Sequence, residues 1–76
     1  MNYMDIRVPQ LAETFDCRLE EDVKISVLLR QLAVLLPGRK EAGVLFSLSQ
    51  KRMLNSDRTL QEQGVISGQT LLLLFI

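Results

Sequence analysis

Thr70-Leu71-Leu72-Leu73-Leu74-Phe75-Ile76, entered through the turn Ser67-Gly68-Gln69, is the stretch that decides how this chain folds. The apolar run from Leu71 to Ile76 is far short of the ~20 residues that a membrane-spanning helix requires. It is long enough for a central strand, which tolerates continuous apolar sequence better than an edge strand does. Alternation along such a strand puts Leu71, Leu73 and Phe75 on one face and Leu72, Leu74 and Ile76 on the other. A strand of this kind belongs in the middle of a sheet. The rest of the chain must therefore supply its neighbours and a helix to cover it.

Working back toward the N-terminus, residues 3–9 alternate, with Met4, Ile6 and Val8 against Asp5, Arg7 and Pro9. That period of two predicts a half-buried strand, and Pro9, which has no N–H to donate, marks its end or an outward-facing edge position. After the short connection Leu11-Ala12-Glu13, residues 14–20 alternate again, with Phe15, Cys17 and Leu19 opposed to Asp16, Arg18 and Glu20. The pair reads as a β-hairpin. From Val23 the period changes: Ile25, Leu28, Leu29, Leu32, Leu35 and Leu36 fall on one helical face. Glu20-Glu21-Asp22 precedes it, with Asp22 as the expected N-cap, and Pro37-Gly38 is expected to end it. Arg39 to Gly43 reads as a loop. Val44, Phe46 and Leu48 alternate with Leu45, Ser47 and Ser49 as a third strand, and Met53-Leu54 reads as a short return. Gln61-Glu62-Gln63-Gly64 reads as a single helical turn before the terminal strand. The final strand cannot run antiparallel to every neighbour in this order. Placing it centrally, parallel to the first strand and under the helix, gives an α+β fold of β-grasp type: a mixed sheet of four to five strands with one long helix on one face.

The chain is one domain, residues 1–76, and a core of this size leaves few apolar residues to spare. Hydrophobic residues make up 47% of it, which argues against disorder. Nine Lys/Arg balance nine Asp/Glu, so there is no basic field to release counterions from a nucleic acid, and no nucleic-acid partner is expected. One cysteine rules out an internal disulfide. No cationic, apolar leader is present at the N-terminus, so a cytoplasmic location is expected without membrane insertion.

Asp57-Arg58-Thr59-Leu60, then Gly64-Val65, Ser67-Gly68 and Thr70-Leu71, resembles the ubiquitin-like pattern of Arg-Thr-Leu, a short turn, an apolar residue, a tight turn and a Thr-Leu strand. The likeness covers nearly the whole chain in element order and is strong in residue identity over the last third. Within that superfold the chain is similar to the small bacterial YukD/EsaB-like proteins of type VII secretion. The strand Ile6-Arg7-Val8-Pro9, the helix opening Val23-Lys24-Ile25-Ser26-Val27-Leu28, and a last strand without a following Gly-Gly carry that likeness. It implies an accessory or regulatory role in the secretion of small helical substrates, with secretion-system components as partners, and it supplies no catalytic residue.

The residues themselves point away from an enzyme. The chain has no histidine, so the commonest general base and metal ligand is missing, and one cysteine cannot build a structural zinc site. Neither a metal nor a cofactor is expected. Alternation puts Cys17 with Phe15 and Leu19 on the inward face, where it reads as a structural thiol. Glu20, Glu21 and Asp16 read as solvated, or as serving the helix N-terminus. Ubiquitin and the sulfur carriers react through a flexible Gly-Gly tail. Here Ile76 follows Phe75 directly, so covalent conjugation is not expected unless the natural chain is longer.

Surface remains. The resemblance assigns Leu71, Leu73 and Phe75 to the core under the helix, which leaves Leu72, Leu74 and Ile76 on the open face where ubiquitin binds its partners. Leu45 is expected to join them from the third strand, with Ser47 and Ser49 diluting the patch. Two readings stand: a protein-binding site or homodimer interface, or a stripe partly covered by Arg7, Pro9, Arg52 and the stems of neighbours. Four functions follow. The leading one is a non-enzymatic adaptor of a type VII-like secretion system that docks non-covalently through the open sheet face. The others are a modifier or sulfur carrier lacking its tail, the cytosolic domain of a larger secretion membrane protein, and a module that pairs edge to edge through Thr14 to Glu20.

Overall fold

The two alternating N-terminal segments pair as their spacing predicts. Strand β1 (Asn2–Val8) and strand β2 (Glu13–Leu19) run antiparallel, with Asn2 opposite Leu19 and Val8 opposite Glu13. Pro9 ends β1 and opens a 3-10 turn, Pro9–Leu11, which Ala12 closes in the left-handed conformation (φ 53°), donating its N–H to the Pro9 carbonyl at 3.2 Å. These elements come from a computed structural model, which describes residues 2–36 and 43–75. Helix α1 (Ile25–Leu35) follows, then strands β3 (Val44–Ser47), β4 (Arg52–Met53) and β5 (Thr70–Leu74).

The five strands lie in the order β2-β1-β5-β3-β4. The terminal run is therefore central, parallel to β1 and antiparallel to β3. This is the β-grasp arrangement. Met4, Ile6 and Val8 of β1, Leu71 and Leu73 of β5, and Leu45 of β3 are buried with Ile25, Leu28, Leu29 and Leu32 of α1. Leu54, Leu60 and Val65 close the core from the connection between β4 and β5. Burial of each such side chain stabilises by about 1.5–3 kcal/mol, and this is what holds so short a chain in one fold.

The helix begins later than Val23, and its N-cap is Lys24, without a side-chain cap. The expectation that Asp22 caps it is thus overturned. The orphan N–H groups of the first turn go instead to backbone of the segment after β4: Ile25 donates to the Arg58 carbonyl at 2.9 Å and Ser26 to the Ser56 carbonyl at 3.0 Å. At the other end Leu36 is extended (φ −105°, ψ 125°), as the steric demand of a following proline requires. Pro37, Gly38 and the loop beyond, to which the sequence assigned the stop, lie outside the described residues. No described helix is long and apolar enough to cross a membrane.

The motif residues that carried the ubiquitin-like resemblance have a visible task. Thr59 Oγ1 accepts the Glu62 N–H at 3.0 Å while Glu62 Oε1 accepts the Thr59 N–H at 2.9 Å, a reciprocal capping box on the turn between them. Gly64 then takes φ 73°, and Val65 donates back to the Leu60 carbonyl at 3.0 Å. The turn holds Leu60 fully buried and docks the segment that caps α1.

Candidate protein-binding face

Since Leu71, Leu73, Leu45 and Met4 face the helix, strand alternation sends Leu72, Leu74, Val44, Phe46, Asp5 and Arg7 to the other side of the sheet. The register brings the apolar members together. Val44 pairs with Leu74, Phe46 with Leu72, and Phe46 again with Met53 across β4. Val44, Phe46, Leu72 and Leu74 are half-buried, and Met53 is 58% exposed. They form one stripe that crosses β5, β3 and β4.

Polar residues bound the stripe on the β1 side. Asp5 holds Arg7 in an ion pair at 3.3 Å and accepts the Thr70 hydroxyl at 3.1 Å, so the cation beside Leu72 is tied back toward β1. Arg52 does not cover the stripe. It lies opposite Ser47, on the helix-side parity, and donates to Gln50 Oε1 at 2.6 Å and to the Gln63 carbonyl at 3.2 Å. Of the expected covering groups, only Arg7 stands beside the stripe in the register.

Leu72 and Leu74 lie where the sequence placed them. Leu45 does not: it is fully buried under the helix, and the expectation that it joins the open face is overturned. The parity of β3 is the reverse of the one that would expose it. Its neighbours Val44 and Phe46 take its place, and Ser47, also fully buried, does not dilute the patch. The Ser47 hydroxyl is satisfied there by accepting the Gln50 N–H at 3.1 Å. Ile76 lies outside the described residues.

Cys17 is half-buried, not fully inward, because β2 is an edge strand. Burial pushes its thiol above the ordinary 9.0, with the Arg18 carbonyl as a weaker opposing influence. An apolar groove of about 470 Å³ lies between the start of β2 and the end of α1, lined by Leu11, Glu13, Phe15, Leu35 and Leu36. A second, polar one of about 380 Å³ is lined by Arg18, Glu20, Glu21, Asp22 and Gln61. Among the described residues no cluster has the ligands to hold a metal ion.

No protein-family model matches the chain, and no curated protein matches it in sequence. Solved structures do match. The ubiquitin-like domain of EccD5 from Mycobacterium xenopi is 22% identical over 99% of this chain and 93% of its own, with a TM-score of 0.75. The corresponding domain of Plasmodium falciparum Dsk2 is 18% identical over 96% of this chain and 95% of its own, also with a TM-score of 0.75. A protein designed de novo on the basis of ubiquitin gives 24% identity, coverage of 95% and 84%, and again 0.75. The chain thus has the ubiquitin-like β-grasp fold.

Proposed function

We propose that this domain is a non-enzymatic, cytoplasmic adaptor of a bacterial type VII-like secretion system that binds a protein partner through the open face of its sheet. The observation that carries the reading is the register of β3, β5 and β4, which assembles Val44, Phe46, Leu72, Leu74 and Met53 on the face away from the helix. An apolar stripe on a sheet face, bounded on its β1 side by the Arg7–Asp5 ion pair, resembles the apolar centre and polar margin of a docking surface. The type VII assignment is supported by the YukD/EsaB-like motifs and by the fold shared with the ubiquitin-like domain of EccD5, a secretion component of that type.

The double substitution Leu72→Ser with Leu74→Ser tests it. Both side chains are half-buried, so the loss of stability is about 1 kcal/mol each and the domain stays folded. Affinity capture from the native cells is expected to recover a secretion ATPase or membrane component with the wild-type chain and to lose it with the double variant. Equal recovery by a folded double variant would count against the open face.

One observation favours a second reading. The EccD5 domain matches nearly end to end, as it would if this chain were the corresponding domain of a larger secretion protein. A genomic reading frame that continues into a membrane-spanning run after Ile76 would establish it.

A further inference from the structure

The two edges of the sheet are unlike. β4 is two residues long, whereas β2 runs for seven, unbroken in register and without proline or glycine. The N–H of Asp5 donates to the Gln69 carbonyl at 3.1 Å, so the peptide groups of Asp5 face β5. By alternation those of Met4 and Ile6 face β2 and meet Cys17 and Phe15. It follows that Thr14, Asp16 and Arg18 direct their N–H and C=O groups off the edge of the sheet. Apart from a long contact from Cys17 Sγ to the Arg18 carbonyl at 3.9 Å, no described residue bonds to these groups. A long, straight edge of this kind is a template for another strand.

The charges on this edge say which strand fits. Asp16 stands directly opposite Asp5, a like-charge pair on one face. Asp5 has Arg7 and Thr70 as partners, but among the described residues neither Asp16 nor the exposed Arg18 has an ion pair. An anion and a cation, two residues apart and unpartnered, are self-complementary under a two-fold axis placed between them.

We infer that β2 is the interface of a symmetric homodimer, in which two copies of this chain pair their β2 strands antiparallel about Cys17. In this register Asp16 of each copy faces Arg18 of the other, twice over, and Thr14 faces Glu20. Asp16 and Arg18 form hydrogen-bonded pairs, because both point their peptide groups outward. Cys17 faces Cys17, and Phe15 faces Leu19, as non-hydrogen-bonded pairs on the helix side. Moving the axis to Asp16 or to Arg18 sets like charges against each other, and moving it to Phe15 sets Asp16 against Thr14 and leaves Arg18 without an opposite charge, so charge favours the axis at Cys17. Two five-stranded sheets then continue as one, and the two open-face stripes lie on the same side of it.

Sedimentation equilibrium tests the inference. With rising concentration the wild-type mass is expected to climb from 8.7 kDa toward twice that value. Arg18→Glu, or separately Asp16→Arg, turns two attractions into repulsions, so the midpoint moves to a concentration about tenfold higher or more. Combining Asp16→Arg with Arg18→Asp restores opposite charges in this register alone and brings the midpoint back. Cys17 gives an independent readout. Facing residues of a non-hydrogen-bonded pair have Cα atoms about 4.5 Å apart, within the span of a disulfide. Diamide takes two electrons and two protons from the paired thiols. It becomes the hydrazine and leaves one S–S bond between copies. Wild type and the charge-swapped double variant are expected to cross-link, and Arg18→Glu to do so weakly. Circular dichroism establishes that each variant is folded. A wild-type chain that stays monomeric throughout, an Arg18→Glu variant that associates like wild type, or a folded charge-swapped variant that fails to reassociate would overturn the proposal. So would a β2 edge that accepts an extended segment of a different protein while the chain remains monomeric.

Discussion

At the scale of single residues, the open face is decided by which way β3 is turned. Val44-Leu45-Phe46-Ser47 alternates, and alternation alone does not say which pair looks inward. A phenylalanine is an ordinary core residue and a serine is not, so composition favours the wrong parity. The structure settles it through Ser47, whose hydroxyl is occupied by the Gln50 N–H, and through the pairing of Leu45 with Leu73 and Phe46 with Leu72. A slip of one residue would have exchanged the two sets. Leu72 and Leu74, by contrast, were legible because a central strand leaves only one alternative for each side chain. Gly43 fixes the start of β3 for a different reason. A Cβ there would lie 1.7 Å from the Leu74 carbonyl oxygen, so the backbones of β3 and β5 meet where no side chain fits. Gly43→Ala is expected to lower stability by about 1–3 kcal/mol, read as a lower denaturation midpoint at unchanged slope. An unchanged midpoint would mean that the two backbones do not approach in this way.

At the scale of elements, the helix depends on a turn far from it in sequence. The backbone carbonyls of Ser56 and Arg58 take the place that Asp22 was expected to fill, and the Thr59–Glu62 box holds that segment in shape. The sequence showed both the helix and the turn from their own residues. It could not show that one caps the other, because the bonds run between backbones and leave no side-chain signature. Thr59→Val removes the hydroxyl acceptor and is expected to cost about 1 kcal/mol of folding stability. Hydrogen bonding from the Thr59 N–H, aided by the Thr59 hydroxyl and Arg58, holds the Glu62 carboxyl below its ordinary 4.5 against a weaker opposing effect of burial. A carboxyl lowered on folding stabilises the protein above its unfolded value and loses that contribution as pH falls through its folded value. The melting temperature is therefore expected to decline on acidification below about pH 4.5, and to decline less steeply in Glu62→Gln. Parallel declines in the two proteins would remove Glu62 from the account.

At the scale of the molecule, the terminal strand organises both candidate surfaces. Its central position lets β1 and β3 flank it, which leaves β2 at one edge and the stripe over β5, β3 and β4 at the other side. The two surfaces are separate: the docking proposed here lies on the open face, and the self-association proposed here lies on the β2 edge. A dimer would present two stripes at once, so a partner with repeated sites would gain avidity without any new contact. A methyl-resolved NMR titration with the protein recovered by affinity capture tests whether the open face binds. The methyl signals of Val44, Met53, Leu72 and Leu74 are expected to shift together while those of Leu11 and Leu35, in the groove between β2 and α1, stay in place. Shifts confined to Leu11, Leu35 and the residues of β2, with the stripe unmoved, would contradict it.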